Sequence, residues 1–219
     1  MKNIDLFNNY MNKYFPQLKL SLGLFYNTDI GLRFRTGLNS PSYNNEFERY
    51  VKNLYIKSQL LFKAINDKND DLFLVVNSRK GFEQDIPNVK NIDVFKHYIR
   101  NKNLIKSIDI VKLPYYLYNW DEEENIVTYQ YVLKCKVKDI RTKDLLEAIA
   151  NHEIGLNPKV YEGCFFVNIN KNIIYNLYDD RGFDVIGYKK DDLQHLYNKY
   201  NAWLMEYDIK KMDRVFNNK

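Results

Sequence analysis

The stretch CFFVNINKNIIYNLYDDRGFDVIGY, Cys164–Tyr188, decides the fold. It holds three apolar runs, CFFVNI, IIYNLY and FDVIGY, separated only by NKN and DDRG. Connections this short force neighbouring strands to run antiparallel, so the stretch predicts a three-strand meander. Within DDRG, Gly182 is expected to supply a positive φ, and Asp179 and Asp180 to bond local backbone N–H groups. A second reading stays open. Asp179, Asp180, Arg181 and Asp184 could form a catalytic cluster, because paired carboxylates beside an arginine can serve acid–base chemistry.

Outward from the meander, TYQYVLKCKVKD alternates along its length and predicts a strand, and DLFLVVN reads as a central strand. In DIGLRFRTG, Asp29–Gly37, Ile30, Leu32 and Phe34 alternate with Gly31, Arg33 and Arg35, the period of a half-buried strand. Arg33 and Arg35 then lie on a solvated face, near acids such as Glu46 or Glu48, or form a cationic patch for an acidic partner. Helices are predicted over 3–15, 45–66, around 94–99, over 142–151, from 193 through Tyr207, and over 209–216. Asp191 or Asp192 is expected to cap the fifth of these, with Leu193, Leu196, Tyr200, Trp203 and Tyr207 along one face. LNSPSYNN, SRKGFEQDIPNVKN and the acidic NWDEEENI read as turns and loops, and 108–118, broken by Pro114, stays ambiguous. Helices among the early strands and a meander at the end argue α+β: a single mixed or mainly antiparallel sheet flanked by helices, in one globular domain over 1–219.

Composition narrows the function classes. With 45% apolar residues in 219 the chain can build a core without staples. No run approaches the roughly 18 apolar residues of a membrane span. The N-terminal MKNIDLFNNYMNKYF lacks the apolar core of a secretion signal, so a cytoplasmic protein is expected, with Cys135 and Cys164 as buried thiols. Three His without clustered ligands support no metal site, and no motif implies a cofactor. The net charge of +5 comes without a dense basic block.

NIIYNLYDDRGFDVIG followed by LQHLYNKYNAWLMEYDIKKMDRVF resembles an uncharacterised family common in Gram-positive bacteria, domain of unknown function 3885. KYFPQLKL, LFYNTDIGLRFRTG, LPYYLY and LKCKVKDI extend the resemblance over nearly the whole chain. Its most specific parts are Tyr178–Gly182 with Asp184, and Tyr200-Asn201 with Trp203. Phe183 departs from the small or polar residue that the family often carries there. The resemblance implies a bacterial cytoplasmic setting and brings no activity, so no catalytic residue is carried over.

The function expected is that of a non-enzymatic interaction module, in its most concrete form an immunity- or antitoxin-like protein binding another protein. Arg33, Arg35, Tyr200, Asn201 and Trp203 are its candidate surface, since Trp, Tyr and Arg dominate binding hot spots. The alternatives are a nucleic-acid-binding protein using Arg33, Arg35 and exposed Tyr, and an enzyme using Asp179, Asp180, Arg181 and Asp184.

Overall fold

The computed structural model describes residues 2–36, 46–81 and 88–217. The meander forms as expected: β5 (Gly163–Asn168), β6 (Ile173–Asp179) and β7 (Gly182–Gly187) pair in succession. It is the middle of a larger sheet. β1 (Gly31–Arg35) joins the β7 side, and β2 (Asp71–Gly81), β4 (Ile126–Lys136) and β3 (Asp109–Lys112) continue from β5. The order is β1-β7-β6-β5-β2-β4-β3, and every pairing is antiparallel.

Helices cover both faces, which makes the fold α+β. On one face Leu72, Leu74, Tyr131, Phe166, Tyr175 and Val185 meet α2 (Phe47–Ile65), α3 (Asp93–Tyr98) and α5 (Thr142–Ile154), and α6 (Lys190–Lys199) and α7 (Ile209–Phe216) complete this layer. Each large apolar side chain buried here contributes about 1.5–3 kcal/mol. On the other face α1 (Asn3–Tyr14) lays Phe7, Tyr10 and Met11 onto Phe73, Val75, Val132, Phe165 and Ile174. The Tyr10 hydroxyl donates to the Asn168 carbonyl at 3.2 Å and to Asn172 Oδ1 at 2.9 Å, which fixes the helix over the β5–β6 turn. α1 covers only part of its face. The remainder carries Arg33, Asp184, Asn176, Asn77 and Gln130, all buried and polar.

Along the chain the structure departs from the sequence expectations in three places and settles a fourth that they left open. SRKG belongs to β2, which stays paired with β4 as far as Gly81 opposite Ile126. The ambiguous 108–118 contains the short edge strand β3, which ends before Pro114. NWDEEENI contains a one-turn helix, α4 (Asn119–Glu123), in which Asp121 accepts the Tyr118 N–H at 3.2 Å. The helix expected to run through Tyr207 stops at Lys199. Beyond it the chain makes two 3-10 turns so that Leu204 bridges to Phe34 and the Met205 N–H reaches the Arg33 carbonyl at 2.9 Å. Covering the open edge of β1 outweighs continuing the helix. Asp192 does accept the Lys189 N–H at 2.8 Å, although it stands at the third helical position rather than at the cap. The LNSPSYNN turn and residues 82–87 of the expected loop lie outside the described residues. No helix among the described residues is long and apolar enough to cross a membrane.

Cys135 and Cys164 are buried and unbridged, and burial pushes both thiols up. Since the thiolate is the reactive form, neither should react with a thiol reagent until the protein unfolds. Ellman-type labelling is expected to find no fast thiol in the native protein and two in denaturant. One thiol reacting natively at the rate of a free cysteine would contradict the burial.

Candidate functional site

Arg33 and Asp184 stand directly opposite each other on β1 and β7. Arg33 Nε donates to Asp184 Oδ1 at 2.7 Å and its terminal nitrogen to Oδ2 at 2.9 Å, while the Phe25 N–H adds a third bond to Oδ2 at 3.2 Å. Asp184 is fully buried and Arg33 is 8% exposed. The guanidinium lies 4.4 Å from the Tyr26 ring centre and 4.8 Å from that of Tyr178, and Asp208 stands 3.9 Å away. Burial works against the charge on Arg33, but the hydrogen bonds and charge of Asp184 hold its pKa up. Burial likewise pushes the Asp184 carboxyl up against the pull of Arg33. Three donors converge on its two oxygens, an arrangement that favours the charged form against that burial.

This corrects the expectation of a solvated face at Arg33. Alternation identifies the side to which a residue points, and residues 22–28 fold over that side. The acids seen to meet the two arginines come from remote parts of the chain. Asp184 takes Arg33, and Glu206 takes the half-buried Arg35 at 2.6 Å.

The DDRG stretch is a two-residue turn, with Asp179 paired to Gly182 and an irregularity between Leu177 and Asp179. Asp179 accepts the Arg181 N–H at 2.7 Å and Arg181 Nε at 2.8 Å. Asp180 accepts the Tyr50 hydroxyl at 2.5 Å, and its carbonyl accepts the Thr36 hydroxyl. Gly182 does not have the positive φ expected of it. Its requirement is space: an added Cβ would overlap the Phe34 carbonyl oxygen and the Tyr178 hydroxyl. The three acids therefore point to three different partners.

Of the other candidate residues, Tyr200 is buried, Trp203 is half-buried against it with ring centres 4.8 Å apart, and Asn201 is exposed. Lys57 Nζ lies 5.4 Å from the Trp203 ring centre. Packing of the C-terminal turns accounts for two of these three. No group of three His, Cys, Asp or Glu that could hold a metal ion occurs among the described residues.

A different site arises from unequal strand lengths. The pairing of β5 with β2 ends at Gly163 opposite Asn77, yet β2 continues through Ser78–Gly81. The ladder between β5 and β6 spans Phe166–Asn168 and Ile173–Tyr175, so from Asn176 onward β6 meets β5 through the Asn176 side chain and then runs past the end of β5. The gap between β2 and β6 is a cleft of about 420 Å³. Asn176, only 1% exposed, lines it and donates Nδ2 to the Cys164 carbonyl at 2.9 Å, which leaves Oδ1 as a buried acceptor without a partner. Glu162, also on the cleft wall, has a buried Oε2 without a partner. Arg79 lines the cleft as well, but is ion-paired to the fully buried Asp121. None of Asp179, Asp180, Arg181 and Asp184 lines this cleft. Sequence reasoning missed it because no motif marks it.

Burial pushes the Glu162 carboxyl up; backbone N–H groups beside it and the charge of Lys80 act the other way without reversing the shift. An acid whose folded pKa is raised contributes stability that is fully present below its unfolded pKa, near 4.3, and is lost as pH rises through the folded value. Glu162→Gln is expected to gain stability relative to the parent across that window and to hold the gain at neutral pH. Denaturant melts at a series of pH values measure this, and a difference independent of pH would contradict the burial of the carboxylate.

The family model for the domain of unknown function DUF3885 matches residues 7–208, and the chain belongs to this family. Among curated proteins it is similar to the uncharacterised protein YnaE of Bacillus subtilis (strain 168), with 30% identity over 207 residues, 90% of this chain and 96% of that protein. No solved structure matches.

Proposed function

We propose that the protein is a non-enzymatic cytoplasmic binding protein whose partner, another protein, docks over the cleft at the end of β5. The observation that carries this reading is the rim. Leu22 and Tyr161 line the cleft at 49% and 64% exposure, and Trp120, 53% exposed, stacks on the lining residue Tyr118 at 5.0 Å. Exposed aromatic and aliphatic side chains around a concave site are the usual anchors of a protein interface. An immunity- or antitoxin-like role, in which such a surface blocks another protein, is the concrete form of the proposal.

The alternatives have less support. The acids and Arg181 proposed for an enzyme are engaged in separate structural contacts. Of the two arginines proposed for nucleic acid, one is buried and the other meets Glu206. The test is affinity capture from the native host with the parent and with a Trp120→Ala/Tyr161→Ala variant that melts like the parent. A partner reproducibly retained by the parent and lost by the variant is expected. Equal capture by both, or no reproducible partner, would refute the proposal. Salt-sensitive retention of nucleic acid instead would favour the second alternative.

A further inference from the structure

We infer that the cleft at the end of β5 receives an arginine side chain of the protein partner, held by the Asn176 amide oxygen and the Glu162 carboxylate. The inference rests on the protein-binding reading above and adds the chemistry of what is bound.

Both unpartnered atoms on the cleft wall are acceptors. The Asn176 amide cannot turn to present its nitrogen without giving up the bond to the Cys164 carbonyl. Glu162 offers an oxygen with no donor against it. Buried acceptors left without donors are costly, and a ligand that brings N–H groups recovers that cost. A planar guanidinium carries five donors in a fixed fork and serves two separate acceptors at once, whereas an ammonium concentrates its charge at one point.

Charge points the same way. Arg79 on the cleft wall is taken by Asp121, and burial raises the Glu162 carboxyl although Lys80 on the same wall acts the other way, so a cation in direct contact would hold it as the carboxylate. Beside the aromatic rim, α4 and the residue that caps its end present Glu122, Glu123 and Glu124, all exposed. A chain of net charge +5 thus places an acidic helix next to this cleft, which draws a basic partner toward it. At the mouth, the exposed Tyr161 ring already holds one cation, Lys159 Nζ at 5.2 Å, and is of the kind on which a guanidinium stacks.

The test uses N-acetyl-arginine amide, its uncharged near-isostere N-acetyl-citrulline amide, and N-acetyl-lysine amide, followed by NMR at the Asn176 side-chain amide. Saturable shifts are expected with the arginine amide, with affinity at least tenfold weaker for the citrulline and lysine amides. Glu162→Gln, which preserves shape, should weaken the arginine amide at least tenfold. The inference is overturned by any of three results: no saturable shift with millimolar arginine amide, equal affinity for the citrulline or lysine amide, or unchanged affinity in Glu162→Gln. Partner capture separates this inference from the reading beneath it. If Glu162→Gln captures the partner as the parent does while the Trp120→Ala/Tyr161→Ala variant loses it, the arginine falls and the protein-binding reading stands. If the rim variant captures as the parent does, the reading itself falls.

Discussion

Asp184→Ala is expected to destabilise the protein by about 3–5 kcal/mol, the usual cost of leaving one member of a buried ion pair without its partner. Arg33 would remain with 10% of its side chain exposed and its two carboxylate bonds gone, and the nearest other acid, Asp208, stands 3.9 Å away and shares its Oδ2 with the Tyr26 hydroxyl. The double variant Arg33→Met/Asp184→Ala removes both charges and is expected to lose less than Asp184→Ala alone, because the desolvation cost disappears together with the attraction. Denaturant melts of Arg33→Met, Asp184→Ala and the double variant give the coupling between the residues. A loss below about 1 kcal/mol for Asp184→Ala would mean that water reaches the pair in solution.

Gly182→Ala is expected to cost about 1–3 kcal/mol, the range for forcing atoms into a filled site. The position cannot relax easily, since Gly182 is paired to Arg35 of β1 on one side and to Asp179 of β6 on the other. One obstacle is the Phe34 backbone carbonyl and the other is the Tyr178 hydroxyl, so Tyr178→Phe should recover only part of the loss. Asp179→Ala removes bonds to the exposed Arg181 and should cost less, about 0.5–1.5 kcal/mol. A positive-φ glycine would give the same order, so a third variant is needed. Asparagine tolerates positive φ better than alanine, whereas in a crowded site its larger side chain makes it worse. Gly182→Asn is therefore expected to melt below Gly182→Ala, and the reverse order would restore the conformational explanation.

These two sites mark the boundary of what the sequence reveals. Arg33, Asp184 and Gly182 are all conspicuous as residues, yet their roles are not. Strand periodicity shows which residues share a side, and it locates β1 and β7 closely. It carries nothing about which segment folds over that side, so it places Arg33 in water rather than against an acid 151 positions later. Likewise the apolar spacing from Leu193 to Trp203 survives a change from α-helix to 3-10 turns, because both return to one side about every third residue, whereas Tyr207, expected on the same face, is exposed. The cleft leaves no local signal: it exists because β5 is shorter than the strands flanking it, a property of their pairing and not of any one segment. Asn176 alternates as an ordinary strand residue, and the burial of Glu162 follows from its place just before β5.

The placement of β1 beside β7 also sets a timetable for synthesis. Arg33 leaves the ribosome 151 residues ahead of Asp184, a delay of roughly 8–30 s at ordinary elongation rates of about 5–20 residues per second. In that interval β2, β3 and β4 are completed and can pair with one another, while β1 has neither its strand neighbour nor the carboxylate that neutralises its arginine. Leu204 and Met205, which close the outer edge of β1, emerge later still. The nascent protein thus carries a finished half-sheet and an unclaimed first strand until β7 has been added.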